Sequence, residues 1–353
     1  MNKNLTRRGF VGVAAATGAA AVLAGCSSND SAASASASAS ASTAASGSAS
    51  AASGQTLRFV TGGESGTYYA FGSVIAQHCT NNTDVKVTAL AGNGSKANVE
   101  ALEDNDADLA FCQSDVMAYA YKGINLFDGM QVDCFSTVAN LYEEQVQIVT
   151  CNPDIKTVAD LKDKRVSIGA AGSGVYFNAV DILGVYGIKA GETPDECDFT
   201  PTYQSFGDSA DSLKNEQIDA AFIVAGAPTT AITDLSTSKQ AYLVSLDSEH
   251  IAELKKTSDY YNEATIAAGT YNGIGEDVTT VSVGAVVLAN DSVSEDAVYT
   301  FVADIFDNAA DLVESHAKYA ELSLEKGASI TSVPYHPGAA KYFEEKGFKV
   351  ETK

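Results

Sequence analysis

Three short segments combine glycine and hydroxyl residues in a pattern that can hold an anion without any basic side chain. They are Thr61-Gly62-Gly63-Glu64-Ser65-Gly66-Thr67-Tyr68-Tyr69, Gly92-Asn93-Gly94-Ser95 and Ala171-Gly172-Ser173-Gly174-Val175. Each falls between a stretch that reads as a strand and one that reads as the start of a helix. Glycine lets a ligand approach the backbone closely, and the first N–H groups of a helix lack an internal acceptor and carry partial positive charge. A carboxylate fits there directly. One such segment is an ordinary turn; three, spread along the chain, point to a shared site. Beyond residue 25 the only arginines are Arg58 and Arg165, each beside or within a strand-like run. A bidentate arginine clamp would need one of those two to turn into the site.

Other chemistries find less support. Asp104, Asp106 and Asp108 have the opening spacing of a calcium loop, but Leu109 stands where that loop needs glycine. Gly172-Ser173-Gly174 lacks the outer glycines of a nucleophile elbow. His78, His250, His316 and His336 have no paired metal spacing, and no nucleophile has a base beside it. The expectation is a binding protein with no cofactor and no metal rather than an enzyme.

The elements that must position the three segments read as two α/β series. In the first, strands over 57–61, 85–90 and 109–112 alternate with helices over 67–79, 95–103 and 114–121. A longer strand over 146–151 and a short helix over 157–161 lead into the second. There, strands over 166–170, 199–202 and 220–224 alternate with helices from 172 to about 186 and over 208–215. A strand over 281–289 and helices over 295–313 and 338–345 close the chain. This predicts an α/β, two-lobed fold with two crossings between the lobes. The first lobe takes 56–146 and 281–353, and the second takes 147–280.

The N-terminal part reads as an address. Lys3, Arg7 and Arg8 precede a weakly apolar run over 10–23, too short for the roughly 20 residues that span a bilayer. A cleaved signal peptide over 1–25 follows, ending in the lipobox Leu23-Ala24-Gly25-Cys26, where Cys26 receives a lipid. Thr6-Arg7-Arg8-Gly9-Phe10-Val11 resembles a twin-arginine export signal, with the general export route as the alternative. The Ser/Ala repeat over 26–55 has no large apolar side chains and reads as a disordered tether. Cleavage leaves 19 basic against 45 acidic residues, so the formal charge deepens from −23 to −26. Such a surface repels nucleic acid. Besides Cys26 there are Cys79, Cys112, Cys134, Cys151 and Cys197, an odd number at irregular spacing that reads mostly as buried free thiols.

The stretches TGGESGTYYAFG (61–72), GNGSKANVEAL (92–102), DADLAFCQSDVMAYAYKG (106–123) and NLYEEQVQIV (140–149) carry a resemblance. It continues in DLKDKRVSIGAAGSGVYFNAVDIL (160–183), IDAAFIVAG (218–226), GTYNGIGEDVTTVSV (269–283) and HPGAAKYFEEKG (336–347). Together they resemble the TAXI solute receptors of tripartite ATP-independent periplasmic (TRAP) transporters. The resemblance implies a type II periplasmic-binding fold that closes on a glutamate-, glutamine- or 2-oxoglutarate-like solute. It implies a monomer, lipid-anchored outside the cytoplasm, that serves integral-membrane TRAP permease subunits. By matched position, the first lobe offers Gly63, Ser65, Gly66, Thr67, Tyr68, Asn93, Ser95, Gln113 and Ser114. The second offers Gly172, Ser173, Gly174, Val175, Gln204 and the backbone at Gly226. The family often has threonine where Val175 stands; losing that hydroxyl leaves room for a less polar or differently shaped acid. The same fold could instead serve a sensor or an ATP-driven importer.

Overall fold

The computed structural model describes residues 55–191 and 193–353. The expected signal peptide, the expected lipidation at Cys26 and nearly all of the expected tether lie outside the described residues.

The first series supplies β1 (Thr56–Val60), α1 (Thr67–Asn82), β2 (Lys86–Leu90), α2 (Ser95–Glu103), β3 (Leu109–Gln113) and α3 (Ser114–Lys122). A long strand, β4 (Phe135–Thr150), leads to β5 (Arg165–Ser167), α4 (Val175–Val185), β6 (Thr200–Thr202), α5 (Phe206–Lys214) and β7 (Ala220–Ala225). Then come α6 (Thr230–Ser238), β8 (Tyr242–Val244), α7 (Ser248–Thr257) and β9 (Asn262–Ile266). A second long strand, β10 (Val278–Asn290), returns to α8 (Glu295–Asp307), α9 (Ala309–Leu312), α10 (Leu324–Gly327) and α11 (Pro337–Glu345). Among the described residues no helix is long and apolar enough to cross a membrane.

The strands run in the order β2-β1-β3-β10-β4-β7-β5-β6, with β8 on β4 and β9 on β10. Each half repeats one arrangement: second strand, first strand, third strand, then a long strand of opposite direction. In the first half β1 is parallel to β2 and β3 while β10 is antiparallel to β3. In the second β5 is parallel to β6 and β7 while β4 is antiparallel to β7. The two long strands cross between the halves. β4 pairs with β10 from Phe135 to Gln145 and with β7 from Gln145 to Thr150. β10 pairs with β9 over 278–282 and with β3 over 285–289. The fold is therefore the two-lobed type II arrangement with two crossings that the sequence predicts.

Each half buries both faces of its strands. Leu57, Phe59, Phe71, Phe111 and Phe301 fill one side of the first lobe, and Val99, Leu102, Val116 and Met117 fill the other. In the second lobe, Val166, Ile182 and Leu254 lie on one side, with Leu213, Ile223 and Ile232 on the other. Burial on both faces is why β3 (LAFCQ) and β7 (AAFIVA) read as continuous apolar runs.

No element is expected from sequence between 226 and 281, where α6, β8, α7 and β9 lie, and two of the elements that are expected differ in the structure. The helix expected over 295–313 breaks at Asn308, which leaves helical geometry with ψ near 6° and donates from its side chain to the Asp304 carbonyl. β4 begins eleven residues before the strand expected at 146. Its first part carries Ser136, Thr137, Asn140 and Glu144, polar yet buried, and no alternation marks it as a strand.

Candidate functional site

The carboxyl ends of β1, β2 and β3 face those of β5, β6 and β7, where ligands of open α/β sheets collect. A cavity of about 130 Å³ lies between them. That is close to the roughly 150 Å³ that holds a benzene-sized guest. Of the helices that start at its wall, α1, α2 and α4 each have glycine before the first turn: Gly66, Gly94 and Gly174. No side chain caps any of the three. Ser205, at the same wall, caps α5 with its own oxygen, as Asp247 and Ser294 cap α7 and α8 away from it. The Thr67, Tyr68, Ser95 and Val175 N–H groups are thus left for a guest, whereas the Ala97 N–H of α2 and the Phe177 N–H of α4 go to the Gly172 and Gly174 carbonyls. Gly94 has φ of +105°, and a β-carbon there would sit 3.0 Å from the Ser173 α-carbon.

The lobes touch through hydrogen bonds that only a closed cleft allows. Thr67 Oγ1 donates to the Gly226 carbonyl at 2.8 Å, and the Ala231 N–H donates to the Ser65 carbonyl at 3.1 Å. The Ala97 N–H donates to the Gly172 carbonyl at 2.9 Å. Asn98 braces the first lobe's rim, donating to the Thr61 and Phe111 carbonyls at the ends of β1 and β3.

Twelve of the residues singled out from sequence line this cavity: Gly63, Ser65, Gly66, Thr67, Tyr68, Asn93, Ser95, Gln113, Ser173, Gly174, Val175 and Gln204. Their states differ. Ser173 Oγ and Gln204 Oε1 are buried without a partner, so each can meet a guest. Ser95 Oγ accepts from the Gln113 N–H and donates to its side-chain oxygen, fixing both residues. Tyr68 stacks on Phe111, with centroids 4.6 Å apart, and still brings its hydroxyl to the wall. Three residues fall elsewhere. Ser114 accepts from the Gly284 N–H on β10, Gly172 uses its carbonyl for Ala97, and Gly226 uses its carbonyl for Thr67 and Thr229. Both arginines stand off the site, Arg58 against Asp108 and Arg165 against Asp219. Lys96 pairs with Glu100 on its own helix.

Sequence reasoning missed Phe206, Val224 and Glu144 on the wall. Glu144 is 2% exposed, and Tyr68 donates to its Oε2 at 2.6 Å. Burial pushes its carboxyl well above the usual range. Nothing local in the sequence marks it, because the first part of β4 is polar and the groups around Glu144 come from α1 and from the turn over 317–321.

A second buried network joins the lobes behind the cavity. Gln113 Nε2 donates to Asn178 Oδ1 at 2.6 Å, and Asn178 Nδ2 donates to Asp115 Oδ2 and to the Tyr261 hydroxyl, each at 2.9 Å. Tyr261 in turn donates to Asp181. Asp115 is fully buried, and burial raises its pKa from 3.8 to about 6, partly offset by the Val116 N–H and Asn178. The folded state therefore holds this proton more tightly than the unfolded chain. The resulting stability is complete below about pH 3.8 and is lost as pH rises through about 6. Buried Glu144 and half-buried Asp181 are shifted in the same sense. The urea midpoint should fall between pH 4 and 6, and Asp115→Asn should flatten that fall. An unchanged slope in the variant would contradict the assignment.

Among solved structures the chain is similar to the alkanesulfonate-binding protein SsuA from Xanthomonas axonopodis pv. citri bound to MOPS. Identity is 17%, covering 83% of this chain and 85% of that one, with a TM-score of 0.46. It is also similar to the periplasmic aliphatic sulphonate binding protein SsuA from Escherichia coli (17%, 82% and 78%, TM-score 0.44). A third is an arginine-specific periplasmic binding protein from Salmonella typhimurium (14%, 76% and 96%, TM-score 0.42). The pattern of the NMT1-like family matches residues 59–347, and the chain belongs to that family.

Proposed function

We propose that this protein is an extracytoplasmic receptor that captures a small organic anion or amino acid by lobe closure and delivers it to a membrane transporter. One observation carries the reading: uncapped, glycine-started helices from both lobes meet at one closed cavity that no lysine or arginine lines. The guest supplies the missing acceptor and bridges the lobes, and the closed form is what a membrane partner reads. The TAXI-like stretches support a TRAP permease as that partner and a glutamate-, glutamine- or 2-oxoglutarate-like solute. The Leu23-Ala24-Gly25-Cys26 lipobox supports tethering to the membrane by lipid on Cys26.

Isothermal titration with amino acids, monocarboxylates and dicarboxylates tests the reading. The expected result is at least one ligand of about micromolar affinity, roughly −8 kcal/mol, loose enough for release. No heat across the whole panel would contradict it. A receptor for an ATP-driven importer, or a sensor, would use the same cleft. Uptake by proteoliposomes carrying the permease separates the transport cases: the proposed one runs on an ion gradient without ATP.

A further inference from the structure

We propose that Glu144 and Tyr68 form an ammonium-binding subsite, so that the guest carries an amine as well as a carboxylate. This rests on the receptor reading above and narrows it. Glu144 is 2% exposed on the cavity wall, and among the described residues its side chain's one hydrogen bond comes from the Tyr68 hydroxyl. No lysine or arginine shares that wall. The nearby buried cation, Lys318, is paired with Glu321 and lies over the Tyr142 ring.

The other groups that act on Glu144 are neutral or acidic: Tyr68 from α1, Cys112 from β3, Asp115 from α3, and Tyr142 and Glu143 from its own strand, Glu143 being itself paired with Lys326 of α10. Lys318, from the turn over 317–321, also acts on Glu144, but its ammonium donates to Glu321. A buried carboxyl in this setting stays neutral unless a cation joins it, which is why burial pushes it up.

The opposite part of the wall has the reverse character. The starts of α1, α2 and α4 present partial positive charge with no side chain to satisfy it. A guest with a carboxylate alone would bring its charge into the same small, closed space as Glu144. A guest with both groups gives each end an opposite partner. Such a guest pairs with the ionised form of Glu144, so binding should release a proton and strengthen as pH rises through the Glu144 titration.

The test compares matched pairs that differ only in the amine: L-alanine with pyruvate, L-valine with 2-oxoisovalerate, and L-glutamate with 2-oxoglutarate. Titrated into the unaltered protein, at least one amino acid should bind tenfold or more tightly than its oxo partner. Glu144→Gln, which keeps shape and removes charge, should bring that ratio close to one. An oxo acid that binds as well as its partner overturns the subsite and leaves the receptor reading standing. So does a ratio that survives in Glu144→Gln. The pair comparison needs no variant, so it decides the matter even if Glu144→Gln does not fold. No binding by any of the six compounds overturns the subsite; the receptor reading falls only if the wider panel is also silent.

Discussion

Gly174→Ala should weaken guest binding by about a hundredfold while leaving the fold of each lobe intact. A β-carbon on Gly174 would lie 1.7 Å from Gln113 Oε1, 2.7 Å from its Cδ and 3.0 Å from Ser95 Oγ. Gly174 belongs to the second lobe, and both of those residues belong to the first. Gln113 is the flexible party in principle, but it is 3% exposed and held by Ser95 and Asn178. Moving it breaks those bonds. Overpacking costs about 1–3 kcal/mol and each lost buried hydrogen bond about 1–3 kcal/mol. A sum of about 3 kcal/mol corresponds to the hundredfold loss. The backbone at Gly174, φ −72° and ψ −19°, suits alanine, so the open form carries no strain. Titration of the tightest ligand reads the affinity, and the urea midpoint reads the fold. Unaltered affinity would mean that the lobes do not meet at this glycine when the guest is bound.

Asn178→Leu should have an effect at least as large. Asn178 is fully buried and is the one side chain that joins Gln113, Asp115 and Tyr261. Leucine fills the space and satisfies none of them. Closing the lobes would then bury the Gln113 side-chain N–H and the Asp115 Oδ2 without their partner, at about 1–3 kcal/mol for the first and more for a charge. In the open form water can hydrate both, so the penalty falls on closure. Binding should weaken a hundredfold or more, and small-angle scattering with saturating ligand should show a larger radius of gyration than the unaltered protein. Normal closure in the variant would show that the network is incidental.

Much of this was legible in the sequence because its causes are local. Glycine before Thr67, Ser95 and Val175 marks helix starts that approach another backbone, and the apolar runs of β3 and β7 mark strands covered on both faces. The part of β4 over 135–145 was not legible. It is polar because it lies at the crossing between lobes, where Thr137, Asn140 and Glu144 are buried by elements distant in sequence. Glu144 was overlooked for the same reason, since its environment comes from α1 and from the turn over 317–321. Ser114 and Gly226 were placed on the site by position alone. In the fold, Ser114 faces β10 and Gly226 faces Thr67. Ser173 was legible as a helix start, but only the structure shows its hydroxyl buried without a partner.

Amide chemical shifts of the isotopically labelled protein, followed while the tightest ligand is titrated in, address the core of the account. The N–H resonances of Thr67, Tyr68, Ser95, Gly174 and Val175, drawn from both lobes, should move together and saturate at one equivalent. A ligand that binds while those five stay in place, or that moves the signals of one lobe alone, would contradict capture between facing helix starts.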